Sequence, residues 1–152
     1  MNIQTKFHGE VVVSEEKIIH FPKGILGYED EKEFVVLPYH ESLPFHILQS
    51  VKTPTIALFT MDPWSVEPNY EFDLNEAAKH ELEVKESTTD ILVLGVVTIP
   101  EDWMKSRINL LAPIVINLSD NSRGIQLVLE NSPYQLRRPL FSETNEQLVA
   151  QG

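Results

Sequence analysis

No cysteine occurs among the 152 residues, so no disulfide can form and no thiol can serve as nucleophile or metal ligand. That composition fits a reducing compartment. No apolar run approaches the ~20 residues that a membrane span requires. The opening MNIQTKFHGE lacks an apolar h-region, so no secretory signal is expected. Basic residues are scarce: Lys and Arg number 12 against 23 Asp and Glu, a net charge of −11. A surface this acidic repels phosphate backbones, which argues against direct nucleic-acid binding; it would suit a basic protein partner, although charge by itself points first to solubility alone.

Catalytic signatures are missing as well. His8, His20, His40, His46 and His80 form no metal-ligand spacing, and His80-Glu81 starts an H-E-x-x-H pattern that no second histidine completes. Ser14 to Lys17 matches S-x-x-K and Ser119 to Asn121 matches S-D-N. The serine stands in a hairpin turn instead of opening a helix, and no K-T-G follows. Gly24 and Gly27 are spaced G-x-x-G without a following helix with a basic start. Carboxylates lie in surface-like runs, which is the pattern of a solvated face and not of acid–base chemistry. Neither an enzyme nor a bound cofactor or metal is expected.

What is present is β-pattern. Ile91 to Leu118 reads as two apolar runs joined by a polar link, and the first, Ile91 to Ile99, is β-branched and uncharged. Such a run is a buried strand more readily than a helix. Pro113 divides the second run into strands at Ile108–Leu111 and Ile114–Leu118 with a bend between them. Further strands are read at Ile3–Phe7, Glu10–Val13, Ile18–Phe21, Phe34–Leu37, Phe45–Gln49, Thr55–Met61 and Ile125–Glu130. DLNEAAKHELE from Asp73 is the one clear helix, with Asp73 as cap and Glu76 completing a capping box. Short links between strands favour antiparallel pairing. The expected fold is mainly β, a small antiparallel barrel or sandwich of about nine strands with one or two short helices. Residues 1–141 make one domain, and 142–152 a polar, loose tail.

Charge is uneven along the chain: residues 1–90 hold 17 acidic and 7 basic residues, and 91–152 hold 6 and 5. Two stretches invite a binding role. FPKGILGYE at 21–29 puts Ile25 and Leu26 between glycines, either as a loop plugging a barrel end or as an exposed apolar tip. Asp62 to Glu86 sets Trp64, Tyr70 and Phe72 among carboxylates, a mixture that suits a protein-binding surface or an inward-packed loop with solvated charges. Tyr134 to Leu140, YQLRRPL, is the one local basic spot.

The motifs FPKGILGYE at 21–29, NLLAPIVIN at 109–117 and YQLRRPL at 134–140 resemble those of the FliW flagellar assembly factors, in order and at matching spacing. The resemblance runs to about Phe141. It implies a β-barrel-like cytoplasmic protein without catalytic activity or cofactor that binds flagellin before export. It also implies, as in many bacteria, antagonism of CsrA, a small dimeric RNA-binding repressor of flagellin translation. Accumulating flagellin would capture the factor and free CsrA to repress again. On this reading Glu67, Tyr70, Glu71, Phe72, Asp73, Glu76 and Glu83 face CsrA, and Phe21, Ile25, Leu26 and Tyr28 contact flagellin. Two other readings compete: an interaction module of similar fold unrelated to flagella, and a small-molecule barrel enzyme or carrier.

Overall fold

The computed structural model describes residues 1–85, 90–119 and 122–141. Its strands are β1 (Asn2–Gln4), β2 (Glu10–Val12), β3 (Ile19–His20), β4 (Glu33–Pro38), β5 (His46–Ser50), β6 (Ala57–Met61), β7 (Ile91–Thr98), β8 (Arg107–Ile108), β9 (Ile114–Asn117), β10 (Arg123–Gln126) and β11 (Arg138–Pro139). One α-helix, α1 (Glu76–Glu81), and three 3-10 turns complete the described elements. The order β7-β6-β5-β4-β3-β10-β9 closes on itself because β9 also pairs with β7. The result is a seven-stranded barrel, not a sandwich.

The run expected at the centre is the seam of this barrel. β7 offers one edge to β6 and the other first to β9, through Ile91 to Leu94, and then to β8, through Val97 and Thr98. β8 and β9 are thus two halves of one staggered edge. The bend between them is the stretch around Pro113, where Asn109 Oδ1 accepts the Ala112 N–H at 2.9 Å. Pro113 has no N–H to give, and its carbonyl accepts from Leu127 N at 3.0 Å.

Strand alternation sorts the apolar residues. Ile19, Phe21, Ile25, Phe34, Leu48, Leu94, Ile114 and Ile116 fill the barrel. The intervening outward residues are covered as well. Val35 lies beneath the β1–β2 hairpin with Ile3 and Val13, and Val115 and Ile125 lie beneath α1 with Ala78 and Leu82. Burial on both faces is why β9 carries no polar residue until Asn117.

Four expectations need correction. The sheet is mixed: β3 and β10 pair in parallel through His20 and Arg123. β10 runs back from β9 and meets β3 in the same direction, which short-link logic does not anticipate. The helix is shorter than 73–83, and its cap is Asn75, whose Oδ1 accepts from Ala78 N at 2.8 Å. Asp73 stays in the extended lead-in, and Glu76 pairs with Lys79 at 3.6 Å instead of closing a capping box. The first strand stops at Gln4, because Thr5 N and Oγ1 both donate to Gly9 O in a turn that Gly9 (φ 64°) permits. The strand expected over Ile125–Glu130 ends at Gln126, although Leu127 and Leu129 still donate to Pro113 O and Leu111 O. The expected tail at 142–152 lies outside the described residues.

Candidate protein-docking surfaces

The acidic, aromatic stretch folds into a ledge against one side of the barrel. Asp62 Oδ1 accepts from Trp64 N at 2.9 Å and starts a 3-10 turn over Pro63–Ser65. Trp64 Nε1 donates to Tyr70 O at 2.7 Å. Tyr70 is buried, and its hydroxyl donates to Leu110 O at 2.7 Å. Its ring packs against Tyr134 with centroids 4.5 Å apart. Burial, with Tyr134 adjacent, pushes the Tyr70 phenol well above its ordinary range. The Tyr134 hydroxyl accepts from Glu71 N at 2.8 Å, so the ledge is fixed at both ends.

The sequence-nominated residues therefore divide. Tyr70 is interior and Phe72 half-buried, both serving as support. Glu67 is held by Arg138 at 2.9 Å, and that hydrogen bond draws its carboxyl below the ordinary range. Glu83 pairs with Arg123 at 3.2 Å. Glu71, Asp73 and Glu76 are exposed. They stand along the ledge and the start of α1 as solvent-facing carboxylates on a rigid support, Glu76 with only the exposed Lys79 of its own helix beside it.

The 21–29 loop resolves both of its readings. Phe21 and Ile25 are fully inside the barrel and plug it, so these two do not belong to a contact surface. Gly24 (φ 67°) makes this possible, because a Cβ there would strike the carbonyls of Tyr28 and Glu29. Ile25 and Tyr28 exchange backbone bonds across a reversal with Gly27 at φ 87°. What protrudes is Leu26, 55% exposed, and Tyr28, 38% exposed. Leu26 N donates to Gln126 Oε1 at 2.9 Å, and Lys23 pairs with Glu81, which ties the tip to α1. Tip and ledge thus border the same helix.

Among the described residues no group of three His, Cys, Asp or Glu could hold a metal ion, and no helix is long and apolar enough to cross a membrane. Sequence reasoning missed an apolar groove at the opposite end of the ledge, lined by Phe45, Met61, Val66, Leu140 and Phe141. Its residues are too far apart in the chain to form a motif. YQLRRPL, which supplies one wall, was the available signal.

Comparison with known proteins gives a consistent picture. The family model described as FliW protein matches residues 2–140. The flagellar assembly factor FliW of Anoxybacillus flavithermus is 38% identical over 146 residues, 96% of this chain and 99% of its own. That of Bacillus subtilis is 40% identical over 144 residues, 95% of this chain and 99% of its own. A crystal structure of the flagellar assembly factor FliW superposes with a TM-score of 0.87 at 36% identity, covering 94% of this chain and 99% of the other.

Proposed function

The chain belongs to the FliW family of flagellar assembly factors, a non-enzymatic family, and from that premise we propose that it works in the cytoplasm by partner switching between flagellin and CsrA. Bound to CsrA, it relieves repression of flagellin translation; bound to flagellin, it leaves CsrA free to repress. The observation that carries the CsrA arm is the row of exposed carboxylates, Glu71, Asp73 and Glu76, on a ledge that Tyr70, Tyr134 and Asn75 hold rigid. A protein that binds RNA must present basic surface. An acidic ledge steers toward such a surface and adds repulsion against the message.

Reversing Glu71, Asp73 and Glu76 to lysine together is expected to weaken CsrA binding at least about tenfold at low salt and to flatten its salt dependence. Isothermal titration at two ionic strengths measures both. Unchanged affinity and unchanged salt dependence would remove the ledge from the CsrA interface.

The flagellin arm rests on Leu26 and Tyr28, apolar side chains held out on a loop whose other half is locked in the core. Flagellin segments that are unfolded before assembly and apolar on one side would fold against such a tip. Leu26→Ala with Tyr28→Ala leaves Phe21, Gly24 and Ile25 in place, so the fold is retained. Loss of two contact anchors is expected to weaken flagellin capture about tenfold or more. Capture at full strength by the folded double variant would assign the tip a structural role alone. Titrating CsrA and flagellin singly and then in competition tests the switch itself, since the proposal requires that one displace the other.

A further inference from the structure

The tip that carries Leu26 and Tyr28 closes on itself. Gly24 N donates to Phe21 O at 2.9 Å, Ile25 N to Tyr28 O at 3.3 Å and Tyr28 N to Ile25 O at 2.7 Å. Gly27 N donates to Glu29 Oε1 at 3.1 Å. Four of the five backbone donors from Gly24 to Tyr28 thus stay within the loop. The fifth, Leu26 N, leaves it and reaches Gln126 Oε1 at the end of β10, 2.9 Å away. The internal bonds fix the shape of the turn but not its direction. Glycines at φ 67° and 87° flank Ile25 and Leu26 and offer the backbone a wide choice of angles.

Packing anchors the loop at Phe21 and Ile25 but leaves the tip standing off the barrel. A cleft of about 200 Å³ opens beside it, lined by Lys23, Leu26 and Glu29 of the loop and by Glu81 and Gln126. Two polar ties run from the loop to these neighbours. The Lys23–Glu81 pair has an exposed lysine, so water and salt weaken it. The Gln126 amide is half-buried and held at its other end as well. Its Nε2 donates to Ala112 O at 3.0 Å, and Ala112 is buried with its own N–H on Asn109 Oδ1. An amide with a donor facing one end and an acceptor facing the other can point only one way. Gln126 thereby refers the tip to the fixed bend before Pro113.

We infer that Gln126 is the positioning residue of the flagellin-docking tip: by holding Leu26 N it aims the Leu26 and Tyr28 side chains before the partner arrives. The inference rests on the reading of that tip as the flagellin contact. Order imposed in the free protein need not be imposed again on binding. A tip held by Gln126 therefore binds more tightly than the same side chains on a turn free to swing. Gln126 makes no contact with the partner and acts through Leu26.

The test uses the full chain, amide hydrogen exchange and titration with monomeric flagellin. Gln126→Met keeps the length of the side chain and drops both bonds. Leu26 N–H should then exchange about three- to tenfold faster, the range for loss of one net hydrogen bond, while Ile25 and Tyr28 N–H keep their rates. Flagellin capture should weaken by about the same factor. Gln126→Glu keeps an acceptor for Leu26 N–H and loses the donor to Ala112 O, so it should preserve both Leu26 protection and capture. In the Leu26→Ala, Tyr28→Ala background, Gln126→Met should add no further loss of capture, because the side chains it aims are gone. Unchanged Leu26 exchange in Gln126→Met would overturn the inference. So would faster exchange with capture at full strength, or a glutamate variant that protects Leu26 yet captures as poorly as the methionine one. Full capture by the double alanine variant would instead remove the flagellin reading, and the inference with it. If the methionine chain did not fold, Gln126→Ala, which drops the same amide by shortening the side chain, supplies the comparison.

Discussion

Phe21→Ala is expected to destabilise the fold by about 3–5 kcal/mol, the range for removing a fully buried aromatic ring. Phe21 has no exposed surface and meets Phe34 edge-on with centroids 5.4 Å apart. At roughly 2–4 °C per kcal/mol for a chain of this size, the midpoint should fall by about 6–20 °C in a thermal melt. The ring's other neighbour is the backbone of Gly124, where an added Cβ would collide with it. Gly124→Ala should therefore cost about 1–3 kcal/mol by overpacking. Combining it with Phe21→Leu should cost less than the sum of the two, because the smaller side chain vacates the space the Cβ needs. Strict additivity in that cycle would show that the ring and the glycine do not constrain each other. The loop bearing Leu26 and Tyr28 hangs from this contact, so Phe21→Ala should impair the proposed flagellin capture through the fold while the double alanine at the tip acts without it.

Tyr70 gives the second large effect. Tyr70→Ala removes a buried ring, with an expected cost of about 3–5 kcal/mol, and frees the ledge from the barrel. Tyr70→Phe keeps the ring but strands the Leu110 carbonyl, for about 1–3 kcal/mol. The phenylalanine variant also separates a pH effect. The unfolded chain ionises this phenol near its ordinary value of about 10, whereas the folded protein holds it neutral to higher pH. The stability it contributes is complete below about pH 10 and falls as pH rises further, because the unfolded state then binds fewer protons. Denaturant titrations at neutral pH and above pH 10 should show that alkaline loss in the natural chain and a smaller one in Tyr70→Phe. Equal alkaline slopes would mean that Tyr70 is not the buried phenol responsible.

Local pattern made much of this architecture readable. The uncharged β-branched run at Ile91–Ile99 is the seam strand, and Pro113 does mark the bend between two strand segments. Gly24 and Gly27 announced a reversal, but they could not say which of Ile25 and Leu26 turns inward. That depends on a Phe21–Gly124 contact between residues about a hundred positions apart. The parallel pair of His20 with Arg123 was invisible for the same reason. Asp73 and Asn75 are both good capping residues, and the choice between them follows from where Tyr134 pins the chain at Glu71. Among the carboxylates, sequence could not separate Glu67 and Glu83, which have arginine partners from the distant 123–138 region, from Glu71, Asp73 and Glu76, which are exposed and have no arginine partner.

Barrel closure through β3 and β10, together with β7 and β9, has a consequence for synthesis on the ribosome. The strands that complete the ring are specified only by residues 114–126, after most of the chain has been made. Until they leave the exit tunnel, β3 and β7 each present an unpaired edge, and the lining around Phe34 and Leu94 has no far wall. A nascent chain halted before Ile114 should therefore be sticky and protease-sensitive, and should gain resistance in one step once Gln126 has emerged.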